Sequence, residues 1–325
     1  MSIFLWFIAL GVSLAVLVKA SDYFTDYSER LGLKLGLSAF IIGATIMSVG
    51  TSMPEFVTAL VATLNPDPEL KVFAIDDILG SNIANALLLI GIASIVAKGG
   101  KGLNLKRALI DVDLPFLITT SGLFVVFAMD GNIGMGEGIL FLVSFVFFLL
   151  YTATQQKKLE YAQVDASGIA GKKKDKWPKL KLLGLIGISG FFIYLGGRYT
   201  VESIINIASL LGWSTSILTI LLVALGTSLP EIMVSAVSAR KGNHAGAIGT
   251  AFGSNIFNIL FALGIPSLFA TLQVSPRAMS IGLPFLIFSV LAAAFVTMDN
   301  RVRLWEGGAL IIIYFGFVGK VLGII

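Results

Sequence analysis

Cysteine is absent, histidine occurs once, and charge is scarce. Without a thiol, disulfides, thiol catalysis and thiolate metal sites are excluded. One histidine cannot build a transition-metal site or a catalytic triad. That residue, His244, sits beside Arg240, Lys241, Gly242 and Asn243, which reads as a loop. Charged residues make up 13% of the 325, about half the share of a soluble domain. Hydrophobic residues make up 56% and the mean hydropathy is +0.92. So few charges cannot cover a water-soluble fold of this length; the chain is written for lipid. The net charge of +4 does not point to nucleic acid, because the positive residues are few and lie in loops. No phosphate loop, cofactor motif or histidine base is present, so neither a cofactor nor a membrane enzyme is expected. The apolar run from Ile3 to Val18 has no basic residue before it and continues into a repeat unit, which argues against a cleaved signal peptide.

A helix that spans the hydrocarbon needs about 20 apolar residues. That ruler predicts an all-α integral membrane protein of about ten helices, near 2–20, 36–63, 72–97, 107–128, 134–153, 179–208, 214–239, 245–271, 278–298 and 303–324. Residues 155–178, QQKKLEYAQVDASGIAGKKKDKWP, are polar and lysine-rich and read as a linker loop in water. They divide the chain into a five-helix unit at 1–154 and a second at 179–325. Basic residues gather in loops of one parity: Lys98, Lys101, Lys106 and Arg107, then Lys157, Lys158, Lys172, Lys173, Lys174 and Lys176, then Arg240, Lys241, Arg301 and Arg303. The other parity holds little beyond Lys71, Arg198 and Arg277. The positive-inside bias therefore puts the 155–178 loop in the cytoplasm and both termini outside a plasma membrane. The run KKKDK also suits an anionic lipid surface.

The two units are repeats. GTSMPE, Gly50 to Glu55, is followed by GSNIAN, Gly80 to Asn85; GTSLPE, Gly226 to Glu231, is followed at nearly the same distance by GSNIFN, Gly253 to Asn258. The paired motifs occupy 43–91 and 219–264. With five helices in each unit, the second copy must enter the membrane upside down, the inverted-repeat plan of secondary transporters. Pro54 and Pro230 each remove a backbone donor and open the preceding turn. In lipid an unpaired carbonyl costs several kcal/mol, so opened backbone survives only where protein, water or an ion satisfies it. Helices 2, 3, 7 and 8 are expected to be broken in this way. Hydroxyls and a carboxylate lie at the same level, with Thr51 and Glu55 four apart on one face. This is a hard-oxygen ligand set of the kind Ca²⁺ accepts. Glu55 and Glu231 together carry the charge that neutralises one Ca²⁺. Ser81 with Asn85, and Ser254 with Asn258, make matching stripes on helices 3 and 8, while Asn82 and Asn255 point elsewhere and suit ties between helices. Asp77 continues the first stripe: it is an extra ligand, a vestibule charge, or, with Asp76, an acidic helix end at the interface.

The doubled GTS-x-PE and GSN-x-x-N pattern resembles the alpha-repeats of sodium/calcium exchangers in the cation/calcium antiporter superfamily, and most closely their prokaryotic members. The resemblance covers essentially the whole chain and implies a Ca²⁺/Na⁺ antiporter working by alternating access, with helices 1 and 6 sliding past an eight-helix core. It implies that Glu55 and Glu231 hold Ca²⁺ with the backbone oxygens of Thr51 and Thr227. Flanking Na⁺ sites would come from the hydroxyls of Ser52, Ser81, Ser228 and Ser254 and the carbonyls of Ser48 and Ala224. Asn85 and Asn258 would line the centre, with Asn258 standing where some prokaryotic exchangers have an aspartate. The proline in both motifs favours sodium over proton coupling, the alternative being a Ca²⁺/H⁺ or other divalent-cation antiporter of the same fold. The expected partners are the transported cations and the bilayer, with the protein acting as a monomer.

Overall fold

A computed structural model describes residues 2–35, 48–100, 102–105, 107–160 and 177–325. Helix α1, Ile3–Lys34, runs well past the boundary expected near residue 20. No proline or glycine interrupts it there before Gly32. Lys19–Asp22 and Asp26–Arg30 pairs, one turn apart, brace its polar extension at 3.3 and 2.9 Å. The expected helix at 36–63 is described from Ser48: a single turn α2, Ser48–Thr51, then α3, Met53–Leu64. Its first part, 36–47, lies outside the described residues. A third helix runs through α4, Phe73–Ala84, a π-helical turn, Asn85–Leu89, and α5, Ile90–Val96. Then follow α6, Arg107–Ala128, and α7, Met135–Glu160. The start of the expected 155–178 loop is thus helical, and residues 161–176 of it, like Lys101 and Lys106, lie outside the described residues.

The second half opens with α8, Lys179–Leu211. It stops at Gly212, whose φ of 66° suits a residue without a Cβ. Next come α9, Thr215–Leu218, a π turn, Thr219–Val223, and α10, Ala224–Thr227. The chain bends by 41° into α11, Leu229–Arg240. Helix α12, His244–Phe257, continues as the π segment Asn258–Leu263. The π turn Ala278–Gly282 leads into α13, Leu283–Thr297, and α14, Leu304–Leu322, closes the order. Among the described residues seven helices are long and apolar enough to cross a membrane, eight with the bent pair. His244 is a helix residue rather than a loop residue. Asn243 Oδ1 caps the helix by accepting from the Gly246 N–H at 3.0 Å, and that cap outweighs the polar, glycine-containing sequence around it. Where breaks are expected in helices 3 and 8, the backbone stays helical and widens by a π turn at Asn85 and at Asn258.

Burial separates centre from periphery. Every residue of α4 is buried, whereas α1 and α8 show Phe4, Ile8, Phe191 and Phe192 at their surfaces. Among the described residues helices α1 and α8 pack along each other more extensively than any other pair. Lipid offers no hydrophobic drive to bring helices together, so close packing of small residues must do it. A Cβ on Gly196 would lie 3.0 Å from the Leu17 Cα and backbone nitrogen, and the Thr200 hydroxyl donates to Ser13 Oγ at 3.0 Å. Two short antiparallel ladders join the halves. Strand β1, Leu103–Asn104, pairs with β4, Arg301–Val302, and β2, Asn132–Ile133, pairs with β3, Leu272–Gln273.

Candidate ion-binding centre

The two prolines set the local geometry. Pro54 and Pro230 lie in the first turns of α3 and α11, where a missing N–H costs nothing. Ser52, at φ −90° and ψ 11°, and Ser228, at φ −78° and ψ −1°, are the joints between the short helices and those that follow. Glu55 and Glu231 therefore sit in first turns, where the helix macrodipole favours an anion.

The carboxylates reach across the halves. Ser52 Oγ donates to Glu231 Oε1 at 2.8 Å, and Ser228 Oγ donates to Glu55 Oε1 at 3.2 Å. Within each half Ser81 donates to Glu55 Oε1 at 3.1 Å and Ser254 to Glu231 Oε1 at 3.4 Å. Ser81 and Ser228 hydroxyls lie 2.7 Å apart. All four serines thus converge on one oxygen of each glutamate. Among the described residues the other oxygens, Glu55 Oε2 and Glu231 Oε2, have no hydrogen-bond partner, and both side chains are fully buried.

The asparagines extend this acceptor-rich set. Asn258 Nδ2 donates to Ser81 Oγ at 3.2 Å and to Asn82 Oδ1 at 3.0 Å. Among the described residues its Oδ1 has no hydrogen-bond partner, nor does either amide atom of the buried Asn85. Among the described residues no lysine or arginine pairs with either glutamate, and no group of three or more His, Cys, Asp or Glu forms. Two carboxylates and several neutral oxygens remain without a positive partner. Buried charge is tolerated only when paired or bound to a metal ion, so the cluster fits a hard cation.

The remaining sequence candidates divide. Thr51 is buried beside this centre. Thr227 turns its hydroxyl back onto its own helix, 3.1 Å from the Val223 carbonyl and 3.3 Å from that of Ala224. The Ala224 carbonyl also accepts the Ser228 N–H at 3.2 Å, so in this conformation it is taken up within its own helix. Ser48 opens α2 with its backbone. Asp77 Oδ2 accepts from Thr58 Oγ1 at 2.6 Å, and that hydroxyl lies 3.0 Å from the Glu55 carbonyl. Asp76 and Asp77 are both fully buried, which rules out a wetted helix end. Thr58 escaped the sequence analysis, although its place four residues after Pro54 was the available signal.

Asn82 and Asn255 make a reciprocal clamp. Asn82 Nδ2 donates to the Asn255 carbonyl at 3.1 Å, and Asn255 Nδ2 to the Asn82 carbonyl at 3.0 Å. Replacing Asn82 by leucine leaves the Asn255 carbonyl with the Asn258 N–H alone and removes one acceptor from Asn258 Nδ2. Loss of a partner by a buried polar group costs about 1–3 kcal/mol. Thermal unfolding in detergent should show Asn82→Leu melting several degrees below the parent; an unchanged Tm would count against the clamp.

Comparison with known proteins follows the same pattern. The family model for sodium/calcium exchanger protein matches residues 5–154 and 181–322. The sodium/calcium exchanger MaX1 of Methanosarcina acetivorans is 30% identical over 346 aligned positions, which cover 96% of this chain and 97% of that protein. Inner membrane protein YrbG of Escherichia coli is 30% identical over 83% of this chain and 82% of its own length. The structure of the sodium-calcium exchanger NCX_Mj soaked with 100 mM Na⁺ and 10 mM Sr²⁺ superposes with a TM-score of 0.64 at 26% identity, covering 97% of both chains.

Proposed function

This chain belongs to the sodium/calcium exchanger family, a multi-pass membrane antiporter of Na⁺ and Ca²⁺ and not an enzyme, and from that premise we propose that Glu55 and Glu231 hold the transported Ca²⁺ between them. The observation that carries the assignment is the crossed pair of contacts, Ser52 to Glu231 and Ser228 to Glu55. They bring the carboxylate of each half onto the motif of the other while leaving one oxygen of each free for the ion.

Thr51 and Thr227 contribute backbone oxygens to the Ca²⁺ site. Ser52, Ser81, Ser228 and Ser254 contribute hydroxyls to flanking Na⁺ sites, with Ser48 and Ala224 adding carbonyls once the helix joints open. Asn85 and Asn258 line the centre and Asp77 adds charge beside it. Ca²⁺ and Na⁺ compete for the same oxygens, and the carrier reorients when the two negative charges are neutralised. Moving more than two Na⁺ per Ca²⁺ transfers net charge, which couples to voltage at about 2.3 kcal/mol per charge per 100 mV.

The ten-helix inverted repeat is supported by reciprocity. The Asn82–Asn255 clamp and the serine–glutamate contacts exchange under the match of the halves, and each short ladder takes one strand from each half. Units 1–154 and 179–325 then insert oppositely, with the 155–178 linker cytoplasmic, both termini outside a plasma membrane, and the monomer as the working unit. Alternating access falls to α1 and α8, which form the lipid-facing pair joined at small residues.

Reconstituted liposomes test the assignment. Ca²⁺ uptake should follow an opposed Na⁺ gradient and respond to membrane potential. Uptake driven by a pH gradient with no Na⁺ present would replace this assignment with proton coupling.

A further inference from the structure

We propose that Asp76, Ser216 and Ser275 form a second site, apart from the glutamate centre, that takes one monovalent hard cation of the Na⁺ class. Asp76 precedes Asp77 on α4 and so lies about 100° round the helix from the Asp77–Ser81–Asn85 stripe, and about 7.5 Å along the axis from Ser81. It is fully buried. Ser275 Oγ donates to Asp76 Oδ1 at 2.8 Å, lies 3.0 Å from Ser216 Oγ and accepts the Ala278 N–H at 2.9 Å. Among the described residues Asp76 Oδ2 has no hydrogen-bond partner.

Three separate elements thus bring one carboxylate and two hydroxyls together: α4, α9 and the turn leading into α13. No lysine or arginine among the described residues pairs with Asp76. Arg277, the basic residue nearest to Ser275 in sequence, turns its guanidinium to the Val321 carbonyl. An isolated buried carboxylate must be neutralised. A cation at Oδ2 supplies both the missing charge and the missing contact. One carboxylate balances one unit of charge; a divalent ion would leave an uncompensated positive charge in a low-dielectric interior.

The feature belongs to one half only. At the matching place before Gly253 the chain has Gly249 and Thr250, and the Thr250 hydroxyl turns back to the Gly246 carbonyl at 2.9 Å. A framework contact common to both repeats would appear in both. Because α9 leads into the bent helix that carries Glu231, an ion here links Na⁺ occupancy to that helix. The choice of Na⁺ rests on the antiport assignment above; the site itself does not.

The test is equilibrium binding of radiolabelled Na⁺ to purified protein in detergent. In a Glu55→Gln/Glu231→Gln background, adding Asp76→Asn should remove one bound Na⁺ per chain. Asparagine keeps the shape and can still accept from Ser275. An unchanged binding stoichiometry overturns the proposal, including the case in which Asp76 holds a proton. Should Asp76→Asn fail to fold, Ser216→Ala/Ser275→Ala serves instead and should weaken the same Na⁺ at least tenfold; unaltered affinity overturns the proposal. With the wild-type glutamates, Asp76→Asn should keep Ca²⁺/Ca²⁺ exchange while the Na⁺ coupled per Ca²⁺, read from reversal potentials, falls by one; an unchanged ratio means that this ion takes no part in coupling and overturns its link to the bent helix. Failure of Na⁺-driven Ca²⁺ flux in the parent protein would refute the antiport assignment and leave the binding count to decide this site by itself.

Discussion

Na⁺-driven uptake of radiolabelled Ca²⁺ should fall to background when either Glu55 or Glu231 is replaced by glutamine. Each substitution keeps the shape of the side chain and removes one of two charges in a fully buried centre. At about 4 Å and an effective dielectric near 20, two unit charges interact by about 4 kcal/mol, and a divalent ion doubles that. Tenfold in affinity corresponds to about 1.4 kcal/mol. Ca²⁺ binding should therefore weaken by at least roughly a thousandfold. Folding should not suffer, because the ion-free protein is relieved of a carboxylate with an unpartnered oxygen; the Tm without Ca²⁺ should hold or rise. Near-normal flux in both variants would show that the cation binds elsewhere.

Gly80→Val should cut transport sharply without removing any proposed ligand atom. A Cβ there would stand 2.5 Å from the Ile220 carbonyl oxygen and 2.7 Å from the Ala224 Cβ. The first obstacle is backbone in a π turn of the crossing helix, which cannot rotate away as a side-chain tip could. Overpacking a close contact costs about 1–3 kcal/mol or more. The displacement falls on the next residue, Ser81, whose hydroxyl holds Glu55 and touches Ser228. Flux should drop at least tenfold and the melting temperature should fall. Gly122 provides the control: a Cβ there meets nothing within 4 Å, so Gly122→Ala should lie within about 0.5 kcal/mol of the parent. Equal tolerance at both positions would mean that the α4 crossing is looser than its geometry indicates.

The sequence by itself determined the solvent, the helical class and the identity of the paired oxygen-bearing turns. Those follow from composition and from local rules: too few charges for water, apolar runs of membrane length, and prolines that open a turn at Ser52 and Ser228. The start and end of α6 and the near limits of α4 to α5 could be read the same way. Only the tertiary structure decided who meets whom. That Ser52 serves Glu231 rather than Glu55, that Asn82 and Asn255 clamp each other's backbone, and that Asp76 finds Ser275 across 199 residues depend on packing between distant segments. The same holds for the π turns at Asn85 and Asn258, which replace the expected breaks, and for the burial of both aspartates. A helix end looks alike in sequence whether water or protein covers it, because the covering groups come from other parts of the chain.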